Sequence, residues 1–323
     1  MELGVSVGTL HVFKTNKVLK RHTSCLKPSL NEDNKITRVQ YALEEVNITS
    51  LTNNVYTFKD CYDRIHIDEK WFYMTRDQQG YYLGIGEEEP KRNVQHKGHI
   101  TKVMFLCAQA RPRFNTATNS WWDGKLGIWP IGHIAPAQRK SKHRAKGTPV
   151  WHNLSITKVV YRKLLIEKVL PAIHTKWPRL NTMTSPIRIQ QDGATPHIVS
   201  DDPEFRAAVE ALGLNLHLYT QPAQSPDLNI LDLGFFRAIQ SFNDATPSSE
   251  MELIASVEEA YNGYDYKKIN HLFLTLQLVL NCIIECHGGN VNKIPHMNKR
   301  KLDRMGTLPK VLQVTEDASQ HLG

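Results

Sequence analysis

The chain has 323 residues, 41% of them hydrophobic, enough for one large domain or two with a substantial core. No run of eighteen apolar residues occurs and the N-terminus lacks a signal-peptide core, so the sequence shows neither a membrane span nor secretory routing. The 40 Lys and Arg outnumber the 32 Asp and Glu, and a net charge of +8 suits a polyanionic partner, whether DNA, RNA or acidic lipid.

Residues 1–22, MELGVSVGTLHVFKTNKVLKRH, read as the end of a helix-turn-helix, with Ser6 or Thr9 near the start of a recognition helix. Lys14, Lys17, Lys20 and Arg21 either contact phosphates or form a solvated basic face. Within 23–60, Ser29-Leu30-Asn31-Glu32 is a capping-box pattern, and Val39, Ala42, Leu43 and Val46 form the apolar stripe of a linker helix. Strands are predicted near Arg64–Asp68, Trp71–Thr75, Gly80–Leu83 and Lys102–Ala108, the last apolar enough to be central.

Residues 109–150 show little regular pattern and carry Trp121, Trp122 and Trp129 before the basic run Arg139, Lys140, Lys142, Arg144 and Lys146. That run reads as a DNA-tracking loop, a nuclear import signal or a solvated loop. A helix from Thr157 to His174 precedes a strand over Ile187–Gln191, a helix near Pro203–Leu212, and a strand in which Leu214, Leu216 and Leu218 share one face. Ser225 then reads as an N-cap with Pro226 at the first position of a helix that buries Leu228, Phe235 and Ile239.

Ser249–Glu252 is a second capping box, opening a helix with Ile254 and Val257, and Ile269 to Ile283 trace a further amphipathic helix; both are expected to cover the sheet. The five cysteines make no disulfide framework, and Cys282, Cys286 and His287 read as members of the apolar helical repeat rather than as ligands. The basic stretch GGNVNKIPHMNKRK touches DNA or closes the fold, and 311–323 is expected to be a disordered tail.

Three acids stand out from this order. Asp192 follows a strand that Gly193 and Pro196 stop, so it lies at a carboxyl end. Asp232 falls on the apolar stripe four residues after Leu228, where an ionised carboxylate needs a positive neighbour. Asp68 shares one strand face with His66, opposite Ile65 and Ile67. Three converging carboxylates repel one another unless divalent cations lie between them. Two Mg²⁺ (or Mn²⁺) ions held by Asp68, Asp192 and Asp232 would stabilise the attacking and leaving oxygens of an in-line phosphoryl displacement. His197, five residues beyond Asp192, either assists that chemistry, orients a ligand or serves the turn.

HIDEKWF around Asp68, QQDGATPH around Asp192 and SPDLNILDLGFF around Asp232 resemble the mariner-like transposases. Thirty-nine residues separate Asp192 from Asp232, the spacing of the lineage best known from plants, and VMFLCAQARPRF, GKLGIWPIG, FLTLQ and GGNVNKIPHMNK extend the likeness over roughly 1–310. The resemblance implies an α/β ribonuclease-H-like catalytic domain over 61–310, a five-stranded mixed sheet flanked by helices, with Asp68, Asp192 and Asp232 as its catalytic triad. It implies metal-dependent cleavage of transposon ends and strand transfer into target DNA, a homodimer and a nuclear location, and residues 84–100 stand where such enzymes have a loop that clasps the partner subunit, so they read either as that clasp or as a plain surface loop. Against that pattern the first helix-turn-helix is missing, so the chain reads as N-terminally truncated. Two other functions stay open: a transposase-derived DNA-binding or dimerising protein, and a structure-specific nuclease.

Overall fold

The protein is described from a computed structural model over residues 12, 15, 27–47, 56–74, 101–140, 145–178, 186–241, 247–290 and 293–319. Lys14, Lys17, Lys20 and Arg21, the strand expected at Gly80–Leu83, the loop at 84–100, and Lys142 and Arg144 lie outside the described residues.

Helix α1 (Glu32–Glu44) starts at a different cap from the one the sequence suggests. Asn31, not Ser29, is the N-cap, its Oδ1 accepting the Asn34 N–H at 2.8 Å, while Glu32 and Asp33 face the positive helix end. Strands β1 (Val46–Asn47) and β2 (Thr57–Phe58) pair antiparallel and lead into β3 (Arg64–Tyr73). The sequence suggests two strands here. The ladder to β4 (Lys102–Ala110) is continuous from Ile65 opposite Ala110 to Tyr73 opposite Lys102, because backbone pairing is indifferent to the polar side chains at 68–70.

Residues 109–150, expected to be irregular, contain β5 (Arg113–Asn115), β6 (Ser120–Trp122), β7 (Lys125–Pro130), β8 (Gly132–Pro136) and the start of β9 (Pro149–Asn153). Their Gly and Trp content hides the strands: the Trp129 ring lies so close over Gly127 that a Cβ there would stand 2.1 Å from it. Helix α2 (Lys158–Leu164) runs through a π-turn (Leu165–Val169) into α3 (Leu170–Lys176), close to the single helix expected. Then come β10 (Ile187–Gln191), α4 (Pro203–Ala211), β11 (Leu216–Thr220), a 3₁₀ turn (Pro226–Leu228), a π segment (Leu231–Phe235) and α5 (Phe236–Ser241). Helices α6 (Glu250–Gly263), α7 (Tyr266–Glu285), α8 (Lys299–Arg304) and α9 (Glu316–Ser319) complete the order.

The central sheet has the strand order β11–β10–β3–β4–β7, with β11, β10 and β3 mutually parallel, β4 antiparallel to β3 and β7 antiparallel to β4. Alternation along β4 sends Val103, Phe105 and Cys107 to a core shared with α1, α5, α6 and α7. Leu106, Ala108 and Ala110 go to a second core under α2, α3 and α4. Cys282 is buried in α7, as its apolar repeat predicts. No described helix is long and apolar enough to cross a membrane.

Helix α1 is bound to the rest of the fold through two buried arginines, Arg38 and Arg64. Arg38 forms a bidentate pair with Asp227, both bonds 2.7 Å, and its Nε donates to the Gly288 carbonyl at 2.8 Å. Arg64 donates to Glu45 at 2.6 Å and to the Tyr41 hydroxyl at 2.8 Å, and that hydroxyl donates to Gln190 Oε1 at 2.7 Å. The segment after Lys310 is also ordered as far as Ser319, contrary to the expected disorder: Gln313 bridges to Thr57, and Val314 and Ala318 are buried.

Candidate active site

Parallel pairing of β10 with β3 sets Gln190 opposite His66, so two residues further along Asp192 comes level with Asp68. Asp232 arrives from the other side on the π segment. Ser225 does not open an α-helix as the sequence suggests; it precedes the 3₁₀ turn and its hydroxyl donates to the Ala223 carbonyl. Asn229 breaks the two helical pieces apart. Its Nδ2 donates to the Ile67 carbonyl at 3.1 Å and its Oδ1 accepts the Leu231 N–H at 3.0 Å, which holds the π segment against β3 beside Asp68. π-Distortions of this kind concentrate where a helix must place a functional side chain.

The predicted positive neighbour of Asp232 is Lys70, whose Nζ lies 3.9 Å from Asp232 Oδ1. Lys70 is two residues after Asp68 and therefore on the same face of β3. Asp232 also lies close enough to Asp68 for the two carboxyls to perturb each other's ionisation. Burial, then the charges of Asp232 and Glu69, push the Asp68 carboxyl up to about 8. Burial raises Asp232 too, against the opposing pull of Lys70. Asp192 moves the other way, held below the usual carboxylate range chiefly by its hydrogen bond to His197.

His197 lies between Asp192 and Glu69. Its Nδ1 lies 2.8 Å from Asp192 Oδ1, its Nε2 3.4 Å from Glu69 Oε2, and its ring stacks on Tyr161 with centroids 4.1 Å apart. Burial opposes charge on this imidazole, yet the hydrogen bonds to Asp192 and Glu69 raise its pKa to about 10, so it is an imidazolium at neutral pH.

Three carboxylates suit a hard divalent cation in donor chemistry, and a cation beside Asp68 would offset the burial and the neighbouring charges of Asp232 and Glu69 that raise its carboxyl. Asp68 and Asp232 influence each other's charge, whereas Asp192 is turned onto His197, and among the described residues no three His, Cys, Asp or Glu side chains form a ready-made cage.

Of the expected phosphate contacts, Arg139, Lys140 and Lys146 are exposed, in the connection between β8 and β9. The hairpin is fastened where β4 begins, since Asn153 Nδ2 donates to the Lys102 carbonyl. Lys102 pairs with Tyr73, the last residue of β3, so the hairpin stands at the end of the sheet toward which β3 and β10 run, the end that carries Asp192. Sequence reasoning assigned no role to Glu69, Lys70, Tyr161 or Asn229. The first two sit inside the quoted HIDEKWF; Asn229 gave a weak signal as the turn-forming residue in SPDLNILDL.

No protein-family model and no curated protein sequence matches the chain. Solved structures do. The catalytic domain of the Mos1 mariner transposase matches with a TM-score of 0.51 at 14% identity, over 83% of this chain and 100% of that one. The fold is that of the mariner transposase catalytic domain. Two larger assemblies show the same mariner-like likeness: the Mos1 paired end complex with Mn (TM-score 0.56, 16% identity, 90% of this chain and 73% of that one) and the Mos1 strand transfer complex (0.56, 14%, 88% and 70%). The expected ribonuclease-H-like α/β architecture, a mixed five-stranded sheet flanked by helices, is thus the observed one.

Proposed function

We propose that the chain is a mariner-like DNA transposase that cleaves transposon ends and transfers the freed strand to target DNA. The observation that carries this reading is the placing of Asp68 and, by the parallel register, Asp192 at one level of the sheet of a mariner transposase fold, with Asp232 beside Lys70 of the same strand as Asp68. Asp68, Asp192 and Asp232 would hold Mg²⁺ or Mn²⁺, two ions in this reading; structures of the Mos1 paired end complex with Mn and with Mg support the choice. Bound divalent cations supply Lewis acidity at the attacking and leaving oxygens of the phosphodiester.

The chain's own residues do the rest. Lys70 balances part of the carboxylate charge, Asn229 fixes the Asp232 segment on β3, and His197 keeps Asp192 in a defined direction. Water displaces the 3′ oxygen at the transposon end; that 3′-hydroxyl then attacks a target phosphodiester, losing its proton and expelling a second 3′ oxygen. Arg139, Lys140 and Lys146, together with Lys142 and Arg144, would track the DNA backbone beside the cleft. Homodimeric assembly, nuclear location and a place in the plant-type lineage belong to the same proposal.

The test is cleavage of DNA bearing terminal inverted repeats, with Mn²⁺, by the wild type and Asp192→Asn. Loss of cleavage with unchanged DNA affinity supports the proposal; equal cleavage by both proteins refutes it. A DNA-binding derivative without chemistry would bind in both forms and cut in neither, and a structure-specific nuclease would cut without regard to the repeats.

A further inference from the structure

Glu69 has no evident structural reason to be a carboxylate. Alternation along β3 turns it away from Asp68 and into the layer of Ile65, Ile67, Tyr161 and Ile198. Its side chain is 11% exposed, and among the described residues its Oε1 has no hydrogen-bond partner. An acid in such a place destabilises a fold that an apolar residue of similar volume would serve as well or better. What its other oxygen, Oε2, meets is the Nε2 of His197.

That imidazole is fixed from every side. It is 6% exposed, stacks on Tyr161, and its Nδ1 meets both the Asp192 carboxylate at 2.8 Å and the Asp192 carbonyl at 2.9 Å. The surrounding turn is closed by Gln191, which accepts from the Tyr161 hydroxyl at 2.9 Å and donates to the Ile198 carbonyl at 2.6 Å. Asp192 itself is the loose member: its side chain is 46% exposed and follows the strand's last residue. Apart from the Ala194 N–H, the contact that limits its direction is His197.

We propose that Glu69 is a positioning residue for Asp192, acting through His197, so that the strand carrying the first acid also sets the direction of the second. The chain Glu69–His197–Asp192 has the form of a carboxylate–histidine pair behind a metal ligand, whose outer members govern affinity without touching the ion. The inference rests on the reading of Asp192 as a ligand for a divalent cation.

The experiment measures Mn²⁺ binding by electron paramagnetic resonance and calorimetry, with melting temperature alongside, for the wild type, Glu69→Leu, Glu69→Gln and His197→Asn. Glu69→Leu should weaken Mn²⁺ binding by about 10- to 100-fold. Its melting temperature should be equal to or above that of the wild type, since an apolar group replaces a poorly satisfied acid. Glu69→Gln, which keeps an acceptor for His197, should recover most of the affinity, a rescue that a merely structural role would not produce. Unaltered Mn²⁺ affinity in Glu69→Leu beside a wild type that binds the ion overturns the inference alone. A wild type that binds no Mn²⁺ overturns the metal reading and the inference with it.

Discussion

Truncating Glu45 tests whether α1 belongs to the catalytic unit. Glu45 and Arg64 are each only 1% exposed, and their 2.6 Å bond joins the residue after α1 to the first residue of β3. Glu45→Ala leaves the Arg64 guanidinium buried with the Tyr41 hydroxyl as its remaining side-chain partner in that network. Breaking a buried pair in this way costs about 3–5 kcal/mol, most of it the unpaired charge left behind. At about 2 °C per kcal/mol for a chain of this size, the melting temperature should fall by about 6–10 °C. The double replacement Glu45→Leu with Arg64→Met removes both charges and should restore most of the loss, because well-packed apolar groups substitute for buried ion pairs at little net cost. Circular dichroism and calorimetric melts of wild type, Glu45→Ala and the double variant measure this directly. Since Tyr41 also bonds Gln190, two residues before Asp192, Glu45→Ala should reduce cleavage as well as stability. A melting temperature within about 2 °C of wild type would refute the network's role.

Neutralising Arg139, Lys140 and Lys146 together should weaken binding to all DNA sequences and reduce the salt slope by about 0.9 for each phosphate that is no longer neutralised; an unchanged slope returns the hairpin tip to plain solvated surface. The pH dependence follows from opposite shifts at the site. The folded-state value for Asp68, about 8, lies above its ordinary 3.8, so the native state holds the proton more tightly and stability falls as pH rises from about 4 to about 8. His197, raised from 6.5 to about 10, contributes stability that is complete below its unfolded value and is lost toward pH 10, the same direction. Asp192, held low, opposes this only in acid, where its stabilisation is lost on protonation. Melts in a chelator across the neutral and alkaline range should therefore show a falling melting temperature, and Mn²⁺ should raise it more at about pH 8.5 than at about pH 5.5. A flat profile with an equal Mn²⁺ effect at both values would contradict the assignment.

What the sequence made legible was set by which physical signal each element sends. Asp192 and Asp68 were readable because strand alternation and a terminating Gly193 are local, and the predicted cation beside Asp232 appeared as Lys70 because an acid on an apolar stripe needs one wherever it comes from. The strands after Ala110 were not readable. Their Gly and Trp residues pack by close backbone approach, a contact between chain neighbours folded over one another that no periodicity records. The helix expected from Ser225 failed for a related reason: Asn229 spends its side chain on the Ile67 carbonyl of β3, a long-range bond that divides the segment into a 3₁₀ turn and a π segment. Glu69 was hidden differently. Read by itself, the Asp68-Glu69 pair offers two equivalent acids, and alternation assigns them to opposite faces without saying that both faces serve one site. Only the turn after β10, which carries Asp192 on one side and folds His197 back onto the other, links the second face to Asp192. In the proposed site, β3 would thus place one acid at the reacting centre and steer another from behind, with His197 on the turn after β10 as the link between them.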